Sequence, residues 1–187
     1  MSATMTKKNV NGINVEALQG AIDSIRQDPA NGQTRWTIRS RWMGGTRSDH
    51  EVNGFQLGRS EVERNFTIRI DEPNELCGTN QYANPQEYLL SAMNACMMVG
   101  YSAVASMMGV KLTRLEVTTT GDIDLRGFLG IDPSVANGYE RLQQTVHIAG
   151  DGTEEQFRQI HETVKATSPN FFNITRAVPV TSKLVVE

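Results

Sequence analysis

The sequence predicts an α+β fold, with antiparallel strands around one long apolar helix. Three observations carry that prediction. Apolar and polar residues alternate with period two over residues 35–42 and 62–70. From Tyr88 to Val110 no residue carries a charge. Strands come in runs, and the helical stretches stand apart from them, which is the α+β order rather than strand–helix alternation.

Taken in order, a first helix is expected from Val15 to about Arg26, with Asn14 as its N-cap. Leu18, Ala21, Ile22 and Ile25 share one face at helical spacing. Asp28-Pro29-Ala30-Asn31-Gly32 stops it. Residues 1–32 therefore read as an extension, and residues 33–187 as the main domain. Arg35–Trp42 reads as one strand, with Trp36, Ile38 and Trp42 on one face and Arg35, Thr37, Arg39 and Arg41 on the other. Gly44-Gly45 breaks it, and a weaker strand covers about Glu51–Leu57. In Val62–Ile70, Val62, Phe66, Ile68 and Ile70 alternate with Glu63, Asn65, Thr67 and Arg69. An antiparallel meander with one wet face follows.

The uncharged stretch is a helix capped by Asn84, with Pro85 in its first position and Glu87 three after the cap. It ends near Gly109. Its length and composition would also suit a bilayer span. Asn94, Ser91, Ser102, Ser106 and Gly100 inside it, and the half-buried character of the strands around it, favour a core helix and no membrane. A helix apolar on every side must be covered on every side. One sheet covers one face, so the second helix, a partner subunit, or both are expected to cover the rest. Strands near Leu112–Leu125 and Tyr139–Ile148 come next, joined by a turn-rich link. A helix from Glu154 to about Ala166 opens on a Thr153/Gln156 capping box and buries Phe157, Ile160 and Val164. Ser168-Pro169 ends it. A last strand is expected over about Val178–Val186.

Composition narrows the function classes. The chain has 187 residues, 21% charged and 39% hydrophobic, with net charge −3. A chain of that length can bury ~70% of its unfolded surface in one core. Without a basic excess it is a poor match for nucleic acid. Cys77 and Cys96 are too few for a secreted disulfide framework. No apolar signal-peptide core opens the sequence, so a cytoplasmic protein is expected. His50, His147 and His161 are scattered without ligand spacing, and no nucleotide-binding or nucleophile-elbow motif occurs. Neither a metal nor a cofactor is expected.

Cys96 is the residue with chemical promise. On residue type and setting alone it reads first as a small hydrophobe in a core helix. To react it would need a cation beside it, because burial opposes the thiolate. The Arg-bearing strand face supplies Arg35, Arg39 and Arg41, which can otherwise simply be solvated. Cys77 lies in the loop before the helix. Residue 85 to residue 96 spans roughly 16 Å of helix, so a Cys77–Cys96 disulfide would need the loop to fold back. Five of the eight Met, at 93, 97, 98, 107 and 108, lie on this helix. They read as core packing or as a pliable apolar pocket beside Cys96.

Asn84-Pro85-Gln86-Glu87-Tyr88-Leu89-Leu90-Ser91-Ala92-Met93-Asn94-Ala95-Cys96 resembles the Pro-x-Glu-x-Leu-Leu-x-Ala-x-x-x-Cys helix of the OsmC/Ohr family, the osmotically inducible and organic hydroperoxide resistance proteins. Gly121–Gly130 and Ser168–Thr175 resemble further segments of its OsmC-like branch. The resemblance implies an intertwined homodimer with two interface sites. In the family's peroxidases a helix thiolate attacks an organic hydroperoxide and a second Cys resolves the sulfenic acid, while an Arg and a Glu poise the thiolate. Carried over, Cys96 matches the attacking thiol. Gln86 stands where the peroxidases have Glu, and Glu87 lies one place later, turned ~100° about the helix. Ser168 stands at the resolving position, where it cannot form a disulfide. Arg41 is the first choice for the cation, before Arg39 and Arg47. Two functions follow from the resemblance. One is a one-Cys reductase of organic hydroperoxides under oxidative stress, regenerated by an external thiol or by Cys77. The other is a diverged scaffold that binds a small apolar ligand in the interface pocket.

Overall fold

The computed structural model describes residues 9–187, and the chain divides between Leu89 and Leu90 into two compact units. The first unit opens with a hairpin of β1 (Asn9–Val10) and β2 (Ile13–Asn14). Its two-residue loop needs positive φ twice, and Asn11-Gly12 supplies it at 51° and 78°. Helix α1 (Val15–Gln27) follows, and the Asn14 side chain caps it by accepting from Ala17 N. Asp28 ends α1 and caps a single 3₁₀ turn at Pro29–Gly32. No residue of α1 is fully buried, and Ile25 is exposed. The helix rests at the tip of the next hairpin, where Gly58 N donates to Gln33 O at 2.7 Å.

The expected strand over Arg35–Trp42 is two strands, β3 (Thr34–Trp36) and β4 (Arg39–Trp42). Both pair antiparallel with β5 (Ser48–Leu57), and β5 pairs along its other edge with β6 (Ser60–Ile70). The interruption at Thr37–Ile38 faces the place where the β5–β6 register slips between Val52 and Gly54. A bulge there shifts what the neighbouring strand must match. Any Cβ on Gly54 would lie 2.6 Å from Val62 O, which keeps that position glycine. Trp36 stacks on Phe55 with ring centroids 4.3 Å apart. The alternation expected of β6 forms, but Val62 and Phe66 stay exposed in the single chain. Arg64 lies over the Phe66 ring instead, 4.7 Å from its centroid.

Between β6 and the long helix sits Asp71, a wholly buried carboxylate. It accepts from Thr46 Oγ1 at 2.7 Å, from Thr79 N at 3.0 Å and Oγ1 at 2.5 Å, and from Gln81 N at 3.3 Å. The Thr79 hydroxyl, helped by Thr46 and the backbone amides, holds this carboxyl well below the usual carboxylate range against the opposing effect of burial. The clamp fixes the loop that delivers the chain to α2 (Pro85–Met107). The start of α2 is a reciprocal cap: Asn84 Oδ1 accepts from Glu87 N at 2.9 Å, and Asn84 N donates to Glu87 Oε2 at 2.7 Å. Its end is a Schellman closure, with Val110 N on Ala105 O, Gly109 N on Ser106 O, and Gly109 at φ 72°.

In the second unit α2 runs antiparallel to α4 (Glu154–Thr167), with Gly100 facing Val164. Met97, Tyr101, Ala105, Val110, Ile160 and Val164 form the core. Each fully buried side chain of this size contributes about 1.5–3 kcal/mol. The hairpin of β7 (Leu112–Gly121) and β8 (Leu142–Gly150) turns Leu115, Val146 and Ile148 toward that core. Asn94 pins α2 to the hairpin. Its Oδ1 accepts from Thr119 Oγ1 at 2.6 Å and from Gln144 Nε2 at 3.3 Å.

The chain itself covers the long helix along one stripe only, and three expectations need correction. Met93, Met97, Tyr101 and Ala105 form a buried i, i+4 stripe, while Leu89 and Val99 are exposed, Val99 at 69%. Composition is apolar all round, but one chain supplies cover for one stripe. The link after β7 contains a short helix, α3 (Leu125–Phe128), capped by Asp124, so the strand stops at Gly121 rather than Leu125. A further helix, α5 (Pro169–Thr175), starts directly after α4. The strand expected over Val178–Val186 does not form, and residues 177–187 have no regular structure. A strand exists only against a partner, and Val180 and Leu184 are 86% and 84% exposed.

Candidate functional site

Cys96 sits at mid-length in α2, half-buried, as a free thiol. The side chain that meets it comes from the junction of α4 and α5. Ser168 is 6% exposed, and its Oγ donates to Cys96 Sγ at 3.4 Å. The junction is rigid for local reasons. Ser168 N donates to Val164 O at 2.9 Å and closes α4. Ser168 Oγ also accepts from Phe171 N at 3.3 Å, which caps α5, and Pro169 fills the first position of that helix. Asn170 Nδ2 donates to Ala92 O at 2.9 Å, one turn before Cys96. One serine hydroxyl thus closes a helix start and contacts the thiol.

The remaining residues singled out by sequence lie in the first unit. Glu87 is exposed and its carboxylate is engaged with Asn84 N in the cap. Gln86 beside it is exposed. Arg41 on β4 forms an ion pair with Glu51 on β5, with half of its side chain open to solvent. Arg47 Nη2 donates to Met43 O at 3.4 Å. Cys77 follows a 3₁₀ turn at Asn74–Leu76 in the left-handed region, φ 64°, and is an exposed free thiol. Of the residues picked out, the fold brings Cys96 and Ser168 into direct contact.

Sequence reasoning passed over Asn170 and the capping role of Ser168. The signal was present: Ser-Pro stops one helix, and a serine followed by Pro at the first position starts another. Within the second unit, Arg114, Arg126 and Arg158 are each paired with carboxylates, at Glu116, at Asp124 and at Glu154. Among the described residues no three His, Cys, Asp or Glu side chains come together as a metal site would require. The chemistry on offer is that of one thiol with a hydroxyl donor at its sulfur and no second thiol in the resolving place.

A family model for OsmC-like proteins matches residues 78–183, more than half of the chain. The chain belongs to the OsmC-like family. No curated protein matches it by sequence. Among solved structures, an OsmC-like protein from Mycoplasma pneumoniae is similar at 15% identity, over 75% of this chain and 87% of that one, with a TM-score of 0.58. An OsmC-like protein of unknown function from Vibrio cholerae is similar at 10% identity, over 74% and 92%, with a TM-score of 0.55. At these identities the likeness establishes the fold. In this OsmC-like protein the apolar stretch that has the length and composition of a bilayer span is the core helix α2.

Proposed function

We propose that this OsmC-like protein reduces organic hydroperoxides through Cys96 as a one-cysteine enzyme, using an external thiol, in the cytoplasm and under oxidative stress. The free, half-buried Cys96 thiol, with the Ser168 hydroxyl donating to its sulfur, carries this reading. Ser168 stands in the place the resemblance gives to the resolving thiol, and it touches the sulfur. The Cys96 thiolate attacks the terminal peroxide oxygen, an S–O bond forms, and the O–O bond breaks. The alkoxide leaves and takes a proton to give an alcohol, and Cys96 is left as a sulfenic acid. An external thiol then forms a mixed disulfide and releases water. A second thiol exchanges with it, giving the oxidised thiol dimer and free Cys96. On the resemblance, Arg41 is the proposed cation for the thiolate and the alkoxide, a role that requires it to leave its ion pair with Glu51. Glu87, committed to its cap, is assigned no proton transfer.

We further propose that the protein acts as a homodimer. The resemblance implies a dimer, and the 69% exposure of Val99, on a helix whose composition is apolar all round, is what supports it here.

The test follows consumption of cumene hydroperoxide by the full-length protein with and without a monothiol. Thiol-dependent consumption by the wild type, lost in Cys96→Ser, is expected, together with dimedone labelling of Cys96 after peroxide. Equal consumption by both forms removes the peroxidase reading. The diverged ligand-binding scaffold, which the missing second thiol favours, then stands.

A further inference from the structure

A second cavity lies wholly within the second unit, between β8 and α4, with a volume of about 470 Å³. It is not the Cys96 site. Tyr101 forms its floor, five residues beyond Cys96 on α2, which places it about 140° round the helix and ~7.5 Å along it. Val146, Ile148 and Phe157 give it an apolar wall, and His161 is the polar group set into that wall.

Tyr101 is wholly buried, and its hydroxyl meets His161 Nδ1 at 2.5 Å. Burial, and then the charge of Glu162, push the Tyr101 phenol up to about 12, so it stays protonated. The contact with His161 Nδ1 gives the proton of this buried hydroxyl an acceptor, so we take it as the donor. A neutral imidazole that accepts at Nδ1 carries its proton on Nε2. The packing of the core does not need this pair, since a phenylalanine at 101 would fill the same space without a buried hydroxyl to satisfy. With Tyr101 as donor the pair fixes the tautomer, and Nε2 of the cavity-lining His161 then carries the remaining N–H. The rim charges are already answered within the chain. Glu154 pairs with Arg158, and Glu162 with Lys165 at 3.1 Å.

We propose that this cavity is a second ligand site, for an uncharged apolar molecule bearing a ketone or ester whose carbonyl oxygen accepts from His161 Nε2. Volumes of this order hold small organic ligands. A carboxylate finds no free cation there, since Arg158 is paired with Glu154 and Lys165 with Glu162, and it would lose its hydration unanswered.

The experiment is an NMR titration of the full-length protein, ¹⁵N-labelled at histidine, with 4-phenylbutan-2-one at pH 8. Octanoate serves as the anionic comparison. The ketone is expected to shift the His161 Nε2 signals saturably, equally in the wild type and in Cys96→Ser. Octanoate is expected to bind at least tenfold more weakly. His161→Phe is expected to weaken the ketone at least fivefold, and Tyr101→Phe to redistribute the His161 tautomers. The proposal is overturned by an absence of saturable change at His161, by unchanged affinity in His161→Phe, or by octanoate binding as tightly as the ketone. Should His161→Phe not fold, the wild-type titration and the octanoate comparison decide alone. Because Cys96→Ser retains the cavity, failure here is distinct from failure of the peroxidase reading.

Discussion

The Ser168 hydroxyl holds two hydrogen bonds at once, one on Phe171 N and one on Cys96 Sγ. Ser168→Cys places a second sulfur where the hydroxyl oxygen now lies 3.4 Å from Sγ. A disulfide needs ~2.05 Å between sulfurs, a displacement that small side-chain rotations can supply. We therefore expect Ser168→Cys to form an internal disulfide after one equivalent of peroxide, seen as loss of both free thiols and a mass lower by about two hydrogens. If both thiols persist, the pair is not aligned for resolution. The same variant loses the α5 cap, at a cost of about 0.5–2 kcal/mol to the reduced protein, read from its urea midpoint. Asp71 gives a prediction with a definite sign. Its carboxyl is held below the ordinary range, so the stability it contributes is complete above pH ~4 and is lost as pH falls through the folded-state value. Asp71→Asn should be less stable than wild type at pH 7, and the gap should narrow below pH ~4. A gap that persists unchanged in acid rules out the ionised carboxylate as its source.

At the scale of elements, the α2–α4 seam is set by one glycine against one valine. A Cβ at Gly100 would lie 3.1 and 3.4 Å from the two Val164 methyl carbons, and Val164 is wholly buried. Alanine in a helix gains up to ~1 kcal/mol over glycine, while overpacking costs about 1–3 kcal/mol. Gly100→Ala should therefore destabilise by about 1 kcal/mol in wild type but stabilise by about 0.5–1 kcal/mol in a Val164→Ala background. Equal effects in the two backgrounds, from urea midpoints, would mean the seam is loose. The caps were readable in sequence. Asn14, Asn84 with Glu87, and Thr153 with Gln156 all sit where a short polar side chain precedes an apolar helical pattern, and each closes its helix as expected. The split of Arg35–Trp42 was not readable. Its cause is a register slip in a neighbouring strand, which no local pattern in residues 35–42 records.

For the whole molecule, the sequence specified the fold class and the placement of Cys96 on a core helix, because periodicity and caps are local. The Ser168–Cys96 contact is 72 residues apart in sequence and came only from the resemblance and then from the packing. The sequence marks which residues are apolar but not how much cover one chain can provide. Val99 stays 69% exposed. Sedimentation should find a dimer, and Val99→Asp should shift it toward monomer while the urea-unfolding slope of the remaining monomer stays that of a folded domain. A wild type that sediments as a monomer at micromolar concentration ends the dimer proposal. The gap at Thr37–Ile38 has a bearing on solubility. It leaves that rim of the β3–β6 layer as rods of three and four residues instead of one of eight. A stray extended peptide, or a misfolded sister molecule, meets no uninterrupted row of amides to copy, so this side of the layer is a poor seed for fibrils.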